Sequence, residues 1–272
     1  MLDAIVMAGG DPAKDSELLT YAGGAPNKAL IELGGQTLIA RVVAALQASG
    51  RVRRIAIVGL PPAYRPHLDG DVVFLPDAGS MFENGRAGID YFKSTGEISA
   101  KIVASSSDIP LLTPQVVNGV LDLCLPYDVD FCYNIVERAV MERAFPDSGR
   151  TFTLIEGRRY AGGDLNIVRA AVADTDQTKI DEITGGRKTF WKQIKAIGLD
   201  TLFLFLIRRL TIARIEQRIE RVLGFSGKAV VCPYPEVAMD VDKPHHLDVV
   251  RAAFERRRQK SDQGGAVDSA LA

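Results

Sequence analysis

Three cysteines, three histidines and one tryptophan in 272 residues leave little material for thiol, disulfide or histidine chemistry. Cys124, Cys132 and Cys232 are odd in number and form no Cys-x-x-Cys, which excludes a disulfide framework and a structural zinc site and suits a reducing compartment. His67 falls in a proline-rich loop and His245-His246 open a predicted helix, so surface or capping roles fit them better than a catalytic dyad. Ser105-Ser106-Ser107 lacks the Gly-x-Ser-x-Gly setting of a hydrolase nucleophile. Surplus charge is missing as well: 33 Lys and Arg face 34 Asp and Glu. That balance argues against a nucleic-acid partner and confines any basic site to a local patch. The longest apolar run, Leu202–Ile207, is too short to span a bilayer, and Met1-Leu2-Asp3 does not open a charged-then-apolar signal. A soluble cytoplasmic protein is therefore expected. Its 47% hydrophobic and 25% charged residues suit one large domain or one domain with an embellishment.

Short apolar runs and helical periodicities alternate along the first half of the chain. Leu2–Met7 reads as a buried strand that stops at Gly9-Gly10. Leu38, Ile39, Val42, Val43 and Leu46 recur at helical spacing. Ile55–Val58, Val72–Leu75 and Lys101–Ala104 read as further strands. Thr113-Pro114 marks a helix start, with Thr as cap and Pro at the first helical position. This order predicts a mainly parallel α/β sheet wrapped by helices, with ligands beyond the carboxyl ends of the strands. From Asp130 to Ile167 turn signals divide β-rich segments, predicting an antiparallel addition that could form the acceptor side of a cleft. Residues 177–223 read as a helical insertion, Ala229–Val231 and Val237–Val241 as strands, and Pro244–Arg258 as a last amphipathic helix. One domain over 1–258 and a disordered tail over 259–272 are expected.

Chemistry concentrates at predicted strand ends. Ala8-Gly9-Gly10 lets the backbone approach a phosphate, and Lys28 of Pro26-Asn27-Lys28 offers a positive point charge. A tight turn plus a surface lysine is the plainer account, because neither a dinucleotide fingerprint nor a P-loop is present. Asp108 follows the three serines in a strand-to-helix connection; taken alone it is equally a turn former. In Met239-Asp240-Val241-Asp242-Lys243-Pro244, alternate strand residues would bring Asp240 and Asp242 to one side. Together with Asp108 they would suit Mg2+ (or Mn2+), which binds one or two carboxylates plus phosphate oxygens in phosphoryl chemistry.

These segments, with Ile5-Val6-Met7-Ala8-Gly9-Gly10, Asn27-Lys28-Ala29-Leu30, Ser105-Ser106-Ser107-Asp108-Ile109-Pro110 and Asp240-Val241-Asp242-Lys243-Pro244 in the same order, resemble the MobA-like nucleotidyltransferases. That family is related to the sugar-1-phosphate nucleotidylyltransferases. The resemblance spans roughly residues 1–250. It implies a Rossmann-like, GT-A type three-layer sandwich and transfer of a nucleoside monophosphate from a nucleoside triphosphate to a small phosphorylated acceptor, releasing pyrophosphate. It assigns Ala8, Gly9, Gly10 and Lys28 to the nucleotide, with Lys28 and Asp108 catalytic and Asp108, Asp240 and Asp242 on the metal. Asn84, Arg86 and Gly88 resemble the next nucleotide contact, although Asn84 could equally be a helix cap. Arg150 to Asn166, containing Tyr160, Gly162, Gly163 and Asp164, resembles the acceptor-facing segment, where a plain β-turn is the competing account. The family often places an arginine soon after the glycines; here Lys14 is the only basic residue before Lys28 and would take over part of the triphosphate charge.

Arg187–Arg221 carries nine basic and three acidic residues beside the apolar run at Leu202–Ile207. It could touch an anionic membrane or frame an acidic acceptor. Packing on the core with a solvated basic face is the simpler expectation. Two other functions fit parts of the pattern: a glycosyltransferase of related fold, which an Asp-x-Asp at the central strand would favour, and a non-catalytic nucleotide-binding or membrane-associated regulator.

Overall fold

The computed structural model describes residues 1–11, 13–174 and 211–269. Strand β1 (Leu2–Met7) is apolar on both faces: Ala4 and Val6 enter one core, Ile5 another. A strand buried on both sides belongs inside a helix-covered sheet, and β1 lies between two parallel neighbours. After α1 (Ser16–Tyr21), a 3-10 turn at Lys28–Leu30 and a small hairpin of β2 (Glu32–Leu33) and β3 (Gln36–Thr37), the alternation is regular. It runs α2 (Leu38–Ala48), β4 (Val52–Val58), β5 (Val72–Leu75), α3 (Met81–Ser94), β6 (Lys101–Ser106) and α4 (Pro114–Cys124). Thr113 caps α4 as expected, its hydroxyl accepting from Val116 N at 3.3 Å. The second half comprises β7 (Phe131–Glu137), α5 (Arg138–Ala144), β8 (Thr153–Ile155), β9 (Arg158–Gly162), β10 (Leu165–Arg169), α6 (Ile212–Leu223), β11 (Gly227–Val231) and α7 (Pro244–Ser269).

The main sheet has the order β5-β4-β1-β6-β10-β7-β9-β8, with β11 pairing β7. β5, β4, β1 and β6 are parallel, β10 runs antiparallel between β6 and β7, and β8 and β9 extend the sheet antiparallel. α2, α4 and α7 bury Leu46, Val120 and Val250 in the core on one face, while α3 places Ile89 and Phe92 in the core on the other. This is the expected three-layer α/β sandwich with a mainly parallel mixed sheet.

Two local differences have physical causes. The predicted β-rich stretch contains α5, because Arg138-Ala139-Val140-Met141-Glu142-Arg143-Ala144 is rich in helix formers. The predicted strand Val237–Val241 is instead a 3-10 turn at Pro235–Ala238 followed by irregular chain. Pro235 has no N–H for a ladder, and Val237, Met239 and Val241 are apolar because they are buried in the core. α7 continues through residues 259–269. Of the predicted insertion, 177–210 lie outside the described residues, including Arg208 and Arg209. The described part, α6, packs Ile212 and Ile215 against Ile135, Ile155 and Tyr160 and leaves Arg214 and Arg221 exposed. No helix among the described residues is long and apolar enough to cross a membrane. The three cysteines are free and buried.

Candidate active site

Met7 pairs with Ser106 across the β1–β6 ladder, so the Gly9-Gly10 loop and Asp108 leave the sheet side by side. Two further bonds gather the remaining groups. Asn27 caps the 3-10 turn that carries Lys28 and donates its Nδ2 to Ala8 O at 3.4 Å, tying that turn to the first loop. Val241 N donates to Asp108 O at 3.0 Å, drawing the Asp240–Asp242 segment alongside Asp108. His246 accepts from Asp242 N at 3.3 Å, the capping role expected of it.

The result is an alternating cluster of charge. Lys28 Nζ lies 2.5 Å from Asp108 Oδ2 and 2.8 Å from Asp242 Oδ1. Arg150 pairs with Asp240 and, at 3.9 Å, with Asp242. Asp108, Asp240 and Asp242 each offer one oxygen within 4.8 Å of the others. Ser106 Oγ donates to Asp108. These hard oxygen donors fit a divalent cation of the magnesium type. Burial, then the hydrogen bond with Asp242, then the carboxylates of Asp164 and Asp108 push Asp240 up to about 9. Burial and Asp108 raise Asp164 to about 6. Asp242 is held well below the usual carboxylate range: burial opposes this, but the hydrogen bonds from Asp240 and Lys28 outweigh it. Burial also opposes the charge of Lys28, and Asp108 followed by Asp242 overcomes it, raising that pKa.

Beside the cluster lies a cavity of about 950 Å³, bounded at one end by Gly9, Gly10, Lys14, Asp77, Asn84 and Arg86 and at the middle by Lys28, Ser106 and Asp164. Its other end is formed by Phe131, Tyr133, Asn166, Val168 and Phe225. A Cβ on Gly9 would sit 2.9 Å from Asn84 Nδ2, so any side chain here would displace Asn84. Asn84 is not the cap of α3, a role taken by Ser80, whose Oγ accepts from Glu83 N. Instead Asn84 is buried in the first turn, accepting from Ala78 N at 2.7 Å and donating to Asp77 Oδ1 at 2.9 Å. Lys14 stands 81% exposed at the mouth, paired with Asp11. Arg86 pairs with Asp90 within its helix.

Several expected residues serve packing. Gly88 faces Ile5 of β1, where a Cβ would lie 2.7 Å from Cγ1; it brings α3 close to the sheet and does not line the cavity. Ala8 is buried and reaches the site only through its carbonyl. Tyr160 is buried in the small core with Ile135 and Ile155, and Gly162 makes room for the Tyr133 hydroxyl. Gly163 and Asp164 do line the cavity. Asp77 and Tyr133 went unidentified in the sequence, and Arg150, which opens the segment expected to face the acceptor, was given no role of its own.

The MobA-like NTP transferase domain family matches residues 4–174, which take in the glycine loop, Lys28, Asp108 and Asp164. The chain belongs to the MobA-like NTP transferase family. As a nucleotidyltransferase it is similar to a hypothetical transferase from Thermus thermophilus, at 29% identity and a TM-score of 0.76, over 91% of this chain and 100% of that one. The fold is shared with CMP:2-keto-3-deoxy-manno-octonic acid synthetase complexed with CTP (12% identity, TM-score 0.57, 94% of this chain and 99% of that one). It is also shared with 2-C-methyl-D-erythritol 4-phosphate cytidylyltransferase from Thermus thermophilus (14% identity, TM-score 0.52, 94% and 100%). Comparison with curated proteins gave no match. In this family member Asp240, Asp242 and Arg150 complete a cluster whose last two acids lie beyond the matched residues.

Proposed function

We propose that this nucleotidyltransferase transfers a nucleoside monophosphate from a nucleoside triphosphate to a small phosphorylated acceptor with the help of Mg2+ (or Mn2+), releasing pyrophosphate. The observation that carries this reading is the convergence of Asp108, Asp240 and Asp242 within 4.8 Å, with Lys28 between two of them, beside a cavity that opens onto the glycine loop. A volume of about 950 Å³ lies within the range of ligand sites and leaves room for two reactants.

An acceptor phosphate oxygen attacks the α-phosphorus, forming the new P–O bond as the bond to the β-phosphate oxygen breaks and pyrophosphate leaves with its electron pair. No general base is required, because the attacking phosphate is already anionic. Asp108, Asp240 and Asp242 would hold the cation, which supplies charge neutralisation at phosphate oxygens and alignment of the two reactants. The Gly9-Gly10 backbone admits the triphosphate closely, and Lys28 stabilises charge that develops in the transition state. Lys14 and Arg86 add positive charge at the nucleotide end. Gly163 and Asp164 face the acceptor, whose body would lie toward Tyr133 and Asn166.

The shared fold with a synthetase complexed with CTP and with a cytidylyltransferase makes CTP the first nucleotide to test. Each of the four nucleoside triphosphates is offered with a panel of phosphorylated acceptors, and pyrophosphate is measured in Mg2+ and in EDTA. Acceptor-dependent, EDTA-sensitive pyrophosphate is expected. Transfer of a sugar from a nucleotide sugar, with no pyrophosphate from any triphosphate, would replace this reading.

A further inference from the structure

Arg150 is a cation of the site that neither the glycine loop, the lysine turn nor α3 supplies. It comes from the segment between α5 and β8, and its side chain is 14% exposed. Its ion pairs among the described residues are with Asp240 and Asp242, two of the three carboxylates able to share a divalent cation. The pairing is incomplete: Arg150 Nε is buried with no hydrogen-bond partner, and Asp240 Oδ1 meets the guanidinium as an ion pair without accepting an aligned hydrogen bond. A buried guanidinium in a finished structural pair would place its planar donors on the carboxylate and leave none orphaned. Arg150 also lines a separate hollow of about 400 Å³ with Arg138, Ser148 and Phe152, so it stands between that hollow and the acid cluster.

We propose that Arg150 is a substrate-binding residue held in reserve: a guanidinium that pairs with Asp240 and Asp242 until a divalent cation takes them, and then engages the acceptor phosphate. This rests on the reading of Asp108, Asp240 and Asp242 as a cation site. The exchange is favoured by charge. A dication and Arg150 cannot both hold the same oxygens, and once displaced the guanidinium is a buried cation with unused donors. A phosphate matches its planar fork bidentately, and Arg150, which does not itself line the larger cavity, adjoins it through Asp242, the partner of the cavity-lining Lys28. Lys28, which also contacts Asp108, is a point charge and would remain at the triphosphate.

The test uses Mn2+ alone, by calorimetry on the whole chain without nucleotide. Arg150→Met keeps the stem and removes the charge; it should bind Mn2+ about tenfold tighter than the unsubstituted protein, the size of a typical coupling between two sites. Arg150→Lys restores the competing charge and should stay close to the starting affinity. A purely structural arginine predicts the opposite, because its loss would loosen the carboxylates and weaken Mn2+ binding. The unsubstituted protein gives a readout that no folding defect can obscure: Mg2+ should shift the Arg150 Nε–H NMR resonance, and inorganic phosphate should then shift it again. In turnover, Arg150→Met should raise the acceptor KM about tenfold or more while the nucleotide KM changes little. Unchanged Mn2+ affinity in Arg150→Met, or a resonance indifferent to Mg2+, overturns the proposal. Because these measurements need no turnover, they can fail while pyrophosphate release succeeds, and the reverse.

Discussion

Replacing Lys28 by Met keeps the reach of the side chain and removes its charge, and the consequence depends on what else occupies the site. Without metal, Nζ stands 2.5 Å from Asp108 Oδ2 and 2.8 Å from Asp242 Oδ1, with the Lys28 and Asp108 side chains 19% and 3% exposed. Removing one partner of a buried ion pair costs about 3–5 kcal/mol. Asp242 is 48% exposed and open to water, so the lower end, about 3 kcal/mol, is expected. For a chain of this size each kcal/mol lowers Tm by roughly 2–4 °C, so Lys28→Met should melt about 6–12 °C below the unsubstituted protein in EDTA. Mg2+ on the same carboxylates replaces the missing charge. It no longer competes with Lys28, so the gap should narrow at saturating Mg2+. Turnover should not recover: one lost donor to transition-state charge costs about a hundredfold. Differential scanning calorimetry with and without Mg2+, paired with a pyrophosphate assay, reads all three effects. A Lys28→Met protein that melts with the unsubstituted one in EDTA, or that turns over at full rate in Mg2+, refutes the reasoning.

Three further outcomes can be checked separately. Asp240, pushed up to about 9 from 3.8, keeps a proton in the empty folded site that the unfolded chain has released. Metal-free stability should therefore fall as pH rises between about 4 and 9. Asp240→Asn should flatten that decline in a thermal-melt series, and Mg2+ binding at neutral pH should release protons, measured by calorimetry in buffers of different ionisation enthalpy. At the other end of β1, burial would raise the Asp3 carboxyl, but Arg54 and Arg53, each at 2.9 Å, and Ser99 hold it well below its ordinary value. Its stabilisation is present above about pH 4 and lost as pH falls further, so Asp3→Ala should cost about 3–5 kcal/mol in urea unfolding at pH 7 and weaken the acid dependence. Gly88→Val places carbon against Ile5 and should cost about 1–3 kcal/mol by lifting α3 from the sheet, seen as a lower urea midpoint.

The parallel half of the fold was readable because β1, β4 and β6 contain short buried apolar runs at residues 4–7, 55–58 and 102–104. Asp108 was readable because it follows a strand end, and Lys28 because it stands in Pro26-Asn27-Lys28, where Asn27 caps the turn that carries it. Asp240 and Asp242 were identified through the wrong geometry: strand alternation predicted their convergence, yet the segment joins no ladder, and the Val241–Asp108 backbone bond brings them together. Gly88 and Gly162 look like ligand glycines in one dimension, but their missing side chains accommodate Ile5 and Tyr133. Arg150 falls in the segment expected to face the acceptor, but its pairing with acids some ninety residues later was hidden, because no local pattern reports such a contact.

Nucleotidyl transfer at the Asp108 cluster is tested most directly by position-specific labelling of the triphosphate that supports pyrophosphate release. With Mg2+ and an acceptor present, label at the α-phosphorus should appear in the acceptor product and label at the γ-phosphorus in pyrophosphate. Asp108→Asn, folded by circular dichroism, should abolish both. Label from the γ position leaving as orthophosphate while the α label stays on free nucleotide, or undiminished transfer by Asp108→Asn, would contradict the account.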